Sequence, residues 1–264
     1  MENNYIEINK KAWNTKTAIH VDSEFYDMPA FLQGKSSLNS IELELLGDVK
    51  GKKILHLQCH FGQDTLSLAR MGAEVTGVDL SDQAINKAQG LAESLNIPAR
   101  FICCDLYSLP EHLDDTFDIV FSSYGTIGWL PDIEKWGSII SRYLKPKGQF
   151  IFAEFHPVVW MFDDSFSTVA YNYFNKETII ETETGTYTNN EADITTETIS
   201  WNHSIADVLT SLLNNGLAIK AFKEYDYSPY DCFQGMEEFE KGKFRIKKMG
   251  DKLPMVYALV AERQ

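Results

Sequence analysis

The sequence predicts an α/β fold: a doubly wound, mostly parallel sheet with helices on both faces. Three observations predict it. Between Gly51 and His156, short apolar runs alternate with amphipathic helical patterns, as a parallel sheet covered on both sides requires. The first apolar run, Lys53-Ile54-Leu55, passes into a helical pattern through one compact turn, His56–Asp64 (HLQCHFGQD). After His156 the texture shifts to Thr, Glu, Tyr and Asn with partial alternation, the signature of added antiparallel strands.

The elements follow in order. Asn9–Asp27 (NKKAWNTKTAIHVDSEFYD) precedes the sheet and is aromatic and partly polar. It reads either as a helix packed across one edge or as a lid over a cleft, the lid being formed by Trp13, His20, Phe25 and Tyr26. Ile54–Gln58 reads as a buried strand, and Asp64–Met71 as a helix stopped by Gly72. Glu74–Asp79 is the second strand. Ser81 caps a helix whose apolar residues Ala84, Ile85, Ala88, Leu91, Ala92 and Leu95 share one face, and Pro98 ends it. Arg100–Cys104 and Phe117–Ser122 are the third and fourth strands. Ile133, Trp136, Ile139, Ile140, Tyr143 and Leu144 mark another amphipathic helix. Lys145–Gly148 reads as a turn, and Gln149–Phe155 as a fifth strand. Within Ser167–Trp201, ETIIETETGTYT reads as antiparallel strands inserted as a cap. Ser204–Asn215 returns to helix, with Gly216 as its stop. Leu217–Tyr227 and Met255–Glu262 read as closing strands, with an exposed charged loop, Gln234–Leu253, between them. The chain therefore reads as one domain in four parts: an N-terminal segment 1–50, a core 51–156, an inserted cap 157–202, and a C-terminal helix with strands 203–264.

Bulk properties narrow the function. A chain of 264 residues with 44% apolar content buries a sizeable core. The formal net charge of −14 repels phosphate backbones and anionic lipids, so a small-molecule partner is favoured over nucleic acid or membrane. The start, MENNYIEINKKAW, has no apolar signal core, and no apolar run approaches the roughly 20 residues of a bilayer span. The expected location is the cytoplasm. Cys59, Cys103, Cys104 and Cys232 show no C-x-x-C pairing, so they read as buried free thiols and no metal site is expected.

In open parallel sheets, ligands bind beyond the carboxyl ends of the strands, where strand order reverses. Three strand ends carry suitable groups. The opening turn lets backbone N–H groups approach a ligand, with Gly62 as a permissive point. Asp79, 17 residues after Gly62, ends the second strand, where a carboxylate accepts both hydroxyls of a ribose. Asp105 ends the third, placed to accept from an exocyclic adenine amine, with Leu80 and Leu106 flanking the ring.

The ordered set of glycine turn, Asp79, Asp105, FDIV and LKPKGQFIF resembles the class I S-adenosylmethionine-dependent methyltransferases from about Lys52 to Phe155. The resemblance implies a Rossmann-like seven-stranded sheet ending in an antiparallel C-terminal strand, S-adenosyl-L-methionine as cofactor, and methyl transfer. Cofactor contacts would come from His60, Phe61, Gly62, Asp79, Leu80, Asp105, Leu106 and Ser122. The family's opening motif, acidic-x-Gly-x-Gly-x-Gly, falls on His56–Gly62, where the acidic residue and the first two glycines are absent. A β-carbon in that turn is tolerable if φ stays negative, and His60 could donate a ring N–H to the methionine tail of the cofactor. The [DN]-P-P-[YF] motif of members acting on amines in nucleic acids or proteins is also missing at Ser122–Gly125, which favours a small-molecule acceptor. Tyr124 and His156 are the candidate catalytic residues, His156 as a general base, and His203 is a candidate substrate contact. Two other readings stand beside this one. One is a non-catalytic module binding an adenosyl ligand. The other, a nicotinamide oxidoreductase, lacks its G-x-G-x-x-G fingerprint.

Overall fold

The computed structural model describes residues 4–264. Helices α1 (Tyr5–Asp22), α2 (Met28–Leu32) and α3 (Ser40–Leu46) lead into β1 (Lys53–Leu57). Then come α4 (Gln63–Arg70), β2 (Glu74–Asp79), α5 (Asp82–Leu95), β3 (Arg100–Cys103), β4 (Phe117–Ser123), α6 (Ile133–Tyr143) and β5 (Leu144–Phe155). The chain continues through β6 (Ile179–Thr184), β7 (Thr195–Ser200), α7 (Ile205–Asn214), β8 (Leu217–Tyr225), β9 (Met236–Glu240), β10 (Lys243–Ile246) and β11 (Val256–Arg263).

Seven strands form one sheet in the order β3-β2-β1-β4-β5-β11-β8. β11 runs antiparallel to both its neighbours, and the other pairs are parallel. Strand order therefore reverses between β1 and β4, which puts a crevice beyond their carboxyl ends. Side chains alternate across the sheet as the pleat demands. Leu55, Leu57, Val120, Phe150 and Phe152 meet Trp136 and Ile140 of α6 and Val208 and Leu212 of α7. Ile54, Ile119, Phe121 and Ile151 meet Leu46 of α3 and Leu68 of α4 on the other face. Both faces are thus dry, which is why the central strands read as apolar runs.

The cap is smaller than the sequence suggests: between 157 and 202 the regular structure is one short 3-10 turn and the antiparallel pair β6–β7. Helix α1 lies against β7. Asn9 there is buried, and its side chain both accepts from Ile199 N–H at 2.8 Å and donates to Ile199 C=O at 2.8 Å. One amide thereby satisfies a strand edge that would otherwise be open.

Three expectations need correction. The segment Gln234–Leu253 holds the hairpin β9–β10 instead of an extended loop. Its strands carry the ion pairs Lys243–Glu240 and Arg245–Glu237 across the ladder, so charge hid the alternation. β5 begins at Leu144, five residues early, with Lys147 at φ 65° in the turn. Cys103 is exposed, not buried, although Cys59 and Cys104 are buried. Among the described residues no helix is long and apolar enough to cross a membrane.

Candidate active site

A cavity of about 1220 Å³ opens at the crevice, walled by strand ends, by α1 and its following turn, and by the segment around Tyr230. The opening turn forms its floor. Cys59 N–H donates to Val78 C=O at 2.9 Å, extending the β1–β2 register by one residue. Gln58 and His60 flank it in the left-handed region, at φ 54° and 49°. The turn has kept a glycine-like backbone while carrying side chains, contrary to the expectation of negative φ. Each such residue costs about 1–2 kcal/mol. Asp79 offsets part of that cost. Its carboxylate accepts from His60 N–H at 2.8 Å and from Ser81 N–H at 2.8 Å, and hydrogen bonds to a charged acceptor are the stronger kind.

Gly62 sits at φ 80° and begins α4. A β-carbon there would stand 2.9 Å from Ala88 and from the Phe101 ring. Its smallness therefore serves the packing of the turn beneath α5. Phe61 is 1% exposed and packs on Tyr26, ring centroids 4.7 Å apart.

Asp79 and Asp105 line the same cavity, as do Leu80 and Leu106. Asp105 accepts from Ser108 N–H at 3.0 Å as the cap of the short 3-10 turn Leu106–Glu111. Leu106 is largely committed to the core. Burial pushes the Asp79 carboxyl up to about 6, against the pull of its backbone donors, and raises Asp105 for the same reason.

The four candidate lid residues converge on or near the His60 ring. Tyr26 stacks on it at 5.7 Å with planes 4° apart, and Trp13 meets it edge-on at 5.4 Å. His20 Nδ1 lies 3.3 Å from His60 Nε2. Phe25 stacks on Tyr230 at 5.4 Å. His20 is fully buried and does not line the cavity, unlike Trp13, Phe25 and Tyr26. Burial, with the nearby Lys16 charge, takes His20 down to about 3, and burial with the His20 neighbour holds His60 well below the ordinary imidazole value. Both rings are neutral at physiological pH.

The candidate catalytic residues fare differently. Tyr124 lines the cavity, but its hydroxyl donates to Glu42 at 2.8 Å. His156 is buried away from the cavity with both ring nitrogens engaged, Nε2 with Glu224 at 2.9 Å and Nδ1 accepting from Val158 N–H at 3.2 Å. It joins the end of β5 to β8 and does not line the cavity. Ser122 is fully buried and donates to Thr126 at 3.1 Å, so it does not face a ligand; Ser123, one residue on, lines the cavity. His203 lines the cavity but gives Nε2–H to Leu130 C=O at 2.7 Å, leaving Nδ1 without a partner.

Sequence reasoning missed several groups. Asp64 is a cavity-lining carboxylate bonded by Ser37 at 2.6 Å and Ser123 at 3.4 Å, beyond its place in the first turn of α4. Glu154 accepts from the N–H groups of Gly125, Thr126, Ile127 and Phe155 and so braces the turn after β4. Gln58 donates to Thr126 C=O at 2.8 Å, while its Oε1 and the Nδ1 of His60 are buried without partners. The signal the sequence offered for Glu154 is a single carboxylate inside a mostly apolar strand, Gln149–Phe155.

Residues 54–148 match the family model described as "Methyltransferase domain". An "uncharacterized methyltransferase" from Synechocystis sp. is 30% identical over 158 residues, 58% of this chain and 72% of that protein. The chain is a class I S-adenosylmethionine-dependent methyltransferase. The methyltransferase also resembles a ubiquinone biosynthesis O-methyltransferase of Photorhabdus laumondii, 26% identical over 50% of this chain and 57% of that one. Its fold is that of an S-adenosylmethionine-dependent methyltransferase structure from Mesorhizobium loti, with TM-score 0.58 and 20% identity over 88% of this chain and 100% of that one. Membership replaces the oxidoreductase reading, and S-adenosylmethionine is the cofactor.

Proposed function

We propose that this methyltransferase acts on a small-molecule acceptor and that Asp79 and Asp105 hold the adenosyl part of its cofactor. The observation that carries the reading is the presence of both carboxylates on the wall of one cavity at the reversal of strand order. Asp79 would accept from the ribose hydroxyls and Asp105 from the adenine amine, with Leu80 beside the ring. The unpartnered Gln58 Oε1 and His60 Nδ1 on the opening turn suit the charged amino-acid tail, one as an acceptor for an ammonium and the other as a donor to a carboxylate. When bound, S-adenosylmethionine supplies a methyl group already activated on a sulfonium centre. The residues of the chain then have to orient two reactants and exclude water, and alignment alone is worth about 7–11 kcal/mol. Trp13, Tyr26 and Tyr230 provide aromatic walls for that purpose, and an acceptor carrying a cation would be favoured by them.

The net charge of −14 and the aromatic lining of the cavity support a small acceptor over a polymer, and the relative named for ubiquinone biosynthesis is consistent with one. A screen of small metabolites with methyl-labelled cofactor tests this. Label appearing in an organic acceptor is the expected result; label appearing only in added RNA, DNA or protein contradicts it. With the acceptor in hand, His156→Phe is expected to keep kcat within about twofold while lowering stability by about 1 kcal/mol, the worth of a lost hydrogen bond. A large fall in kcat at unchanged folding would restore its role as a base.

The raised Asp79 pKa predicts a pH dependence. The ionised carboxylate accepts two hydroxyls, the protonated one fewer, so affinity for 5′-methylthioadenosine should weaken as pH falls through about 6. The folding sign is opposite: a carboxyl whose pKa rises on folding favours the folded state at low pH and loses that contribution as pH rises through about 6. Titration calorimetry between about pH 5 and 8 on wild type and Asp79→Asn separates the two, and a flat profile in wild type would remove Asp79 from the ribose contact.

A further inference from the structure

The two buried imidazoles of His20 and His60 share one gap of 3.3 Å, between His20 Nδ1 and His60 Nε2. Both rings are neutral, so one proton occupies that gap and one ring donates. Among the described residues the outer nitrogens, His20 Nε2 and His60 Nδ1, are both buried without partners. Two arrangements exist. If His60 donates, the second proton of the pair sits on His20 Nε2, inside a residue with no exposed surface and no acceptor. If His20 donates, that proton sits on His60 Nδ1, and of the two rings only His60 is on the cavity wall. An unpaired buried N–H is costlier than a bare ring nitrogen, so the second arrangement wins once an anion reaches the cavity. The ring cannot turn to evade this, because Tyr26 stacks on one face and Trp13 abuts it.

We infer that His20 of α1 is a positioning residue that fixes the tautomer of His60, so that His60 presents Nδ1–H to the carboxylate of the cofactor's amino-acid tail. This rests on the adenosyl reading above and deepens it. A side chain in place of a glycine becomes a tail-binding group, and its proton is set by the N-terminal helix, so the His20–His60 contact couples α1 to the tail. His20 touches no ligand in this scheme and acts through His60 alone.

Calorimetry with two ligands tests it. S-adenosylhomocysteine carries the tail, and 5′-methylthioadenosine shares the adenosine and sulfur but lacks it. His20→Phe keeps the ring volume and removes the donor. It should weaken S-adenosylhomocysteine about three- to tenfold, the worth of the neutral hydrogen bond that biases the tautomer, and leave 5′-methylthioadenosine within about twofold. His20→Asn, whose amide nitrogen can occupy the Nδ1 position, should restore most of the loss. Equal losses for both ligands would show that His20 only supports the fold, and an unchanged S-adenosylhomocysteine affinity would show that it sets nothing; either overturns the inference. If wild type binds neither ligand, the adenosyl reading itself fails and this inference with it. Nitrogen-15 spectra of the wild-type complex with S-adenosylhomocysteine give a check that needs no variant. A proton on His60 Nδ1 with a bare Nε2 is expected, and an Nε2-protonated or doubly protonated His60 would overturn the assignment.

Discussion

Asp79→Ala should weaken binding of both S-adenosylhomocysteine and 5′-methylthioadenosine by about 10- to 100-fold, within the roughly 1.5–3 kcal/mol of hydrogen bonds to a charged group. Two losses combine. The ribose hydroxyls lose their acceptor, and the N–H groups of His60 and Ser81 lose theirs, each now held at 2.8 Å. His60 stands in the left-handed region at φ 49°, and without Asp79 nothing on that strand end rewards the strain. The turn should relax and take the floor of the cavity with it. Because the ribose contact is common to both ligands, both should weaken, whereas the loss expected at His20 is confined to the ligand that carries the tail. Asp79→Asn keeps one acceptor oxygen and should lose less. Calorimetry reads all three, and unchanged affinity in Asp79→Ala would show that the ribose lies elsewhere.

Gly62→Ala should lower stability by about 2–5 kcal/mol, the sum of left-handed strain and overpacking. The added methyl would meet Ala88 and the Phe101 ring at 2.9 Å, and the backbone is at φ 80°. Neither neighbour is the free end of a flexible chain, since both are in the cluster beneath α5. For a chain of this size the fall in Tm should be roughly 5–10 °C, read by circular dichroism at one scan rate. Gly90→Ala is the natural contrast. Gly90 lies inside α5 with open space around its missing side chain, so alanine there should stabilise by about 0.5–1 kcal/mol. A Gly62→Ala protein as stable as the parent would mean that the turn is not packed beneath α5 as described.

Why some of this was legible in the sequence and some was not follows from where the information lies. The central strands are buried on both faces, so their apolar runs declare them; β2 is read to the residue as Glu74–Asp79. Asp79 and Asp105 were legible as site candidates because a carboxylate just past a strand end of a parallel sheet has few other places to point. Ser122 was misread by one residue. In β4 consecutive side chains face opposite ways, so Ser122 is buried while Ser123 reaches the cavity. The contact of His156 with Glu224 was not legible because the two are 68 positions apart, and no local pattern announces a contact across the sheet. The positive φ at Gln58 and His60 was invisible for a related reason. At His60 it is held by an N–H bond to Asp79 on the next strand, whereas residue type alone argues for negative φ. The hairpin β9–β10 was hidden by composition, since two of its four cross-strand pairs are ionic.

A crystal structure of the methyltransferase with S-adenosylhomocysteine tests the central claim most directly. The account predicts ribose hydroxyls within hydrogen-bonding distance of the Asp79 carboxylate and the adenine amine at Asp105. Density for the ligand in any other part of the cavity, with those two carboxylates facing only solvent, would contradict it.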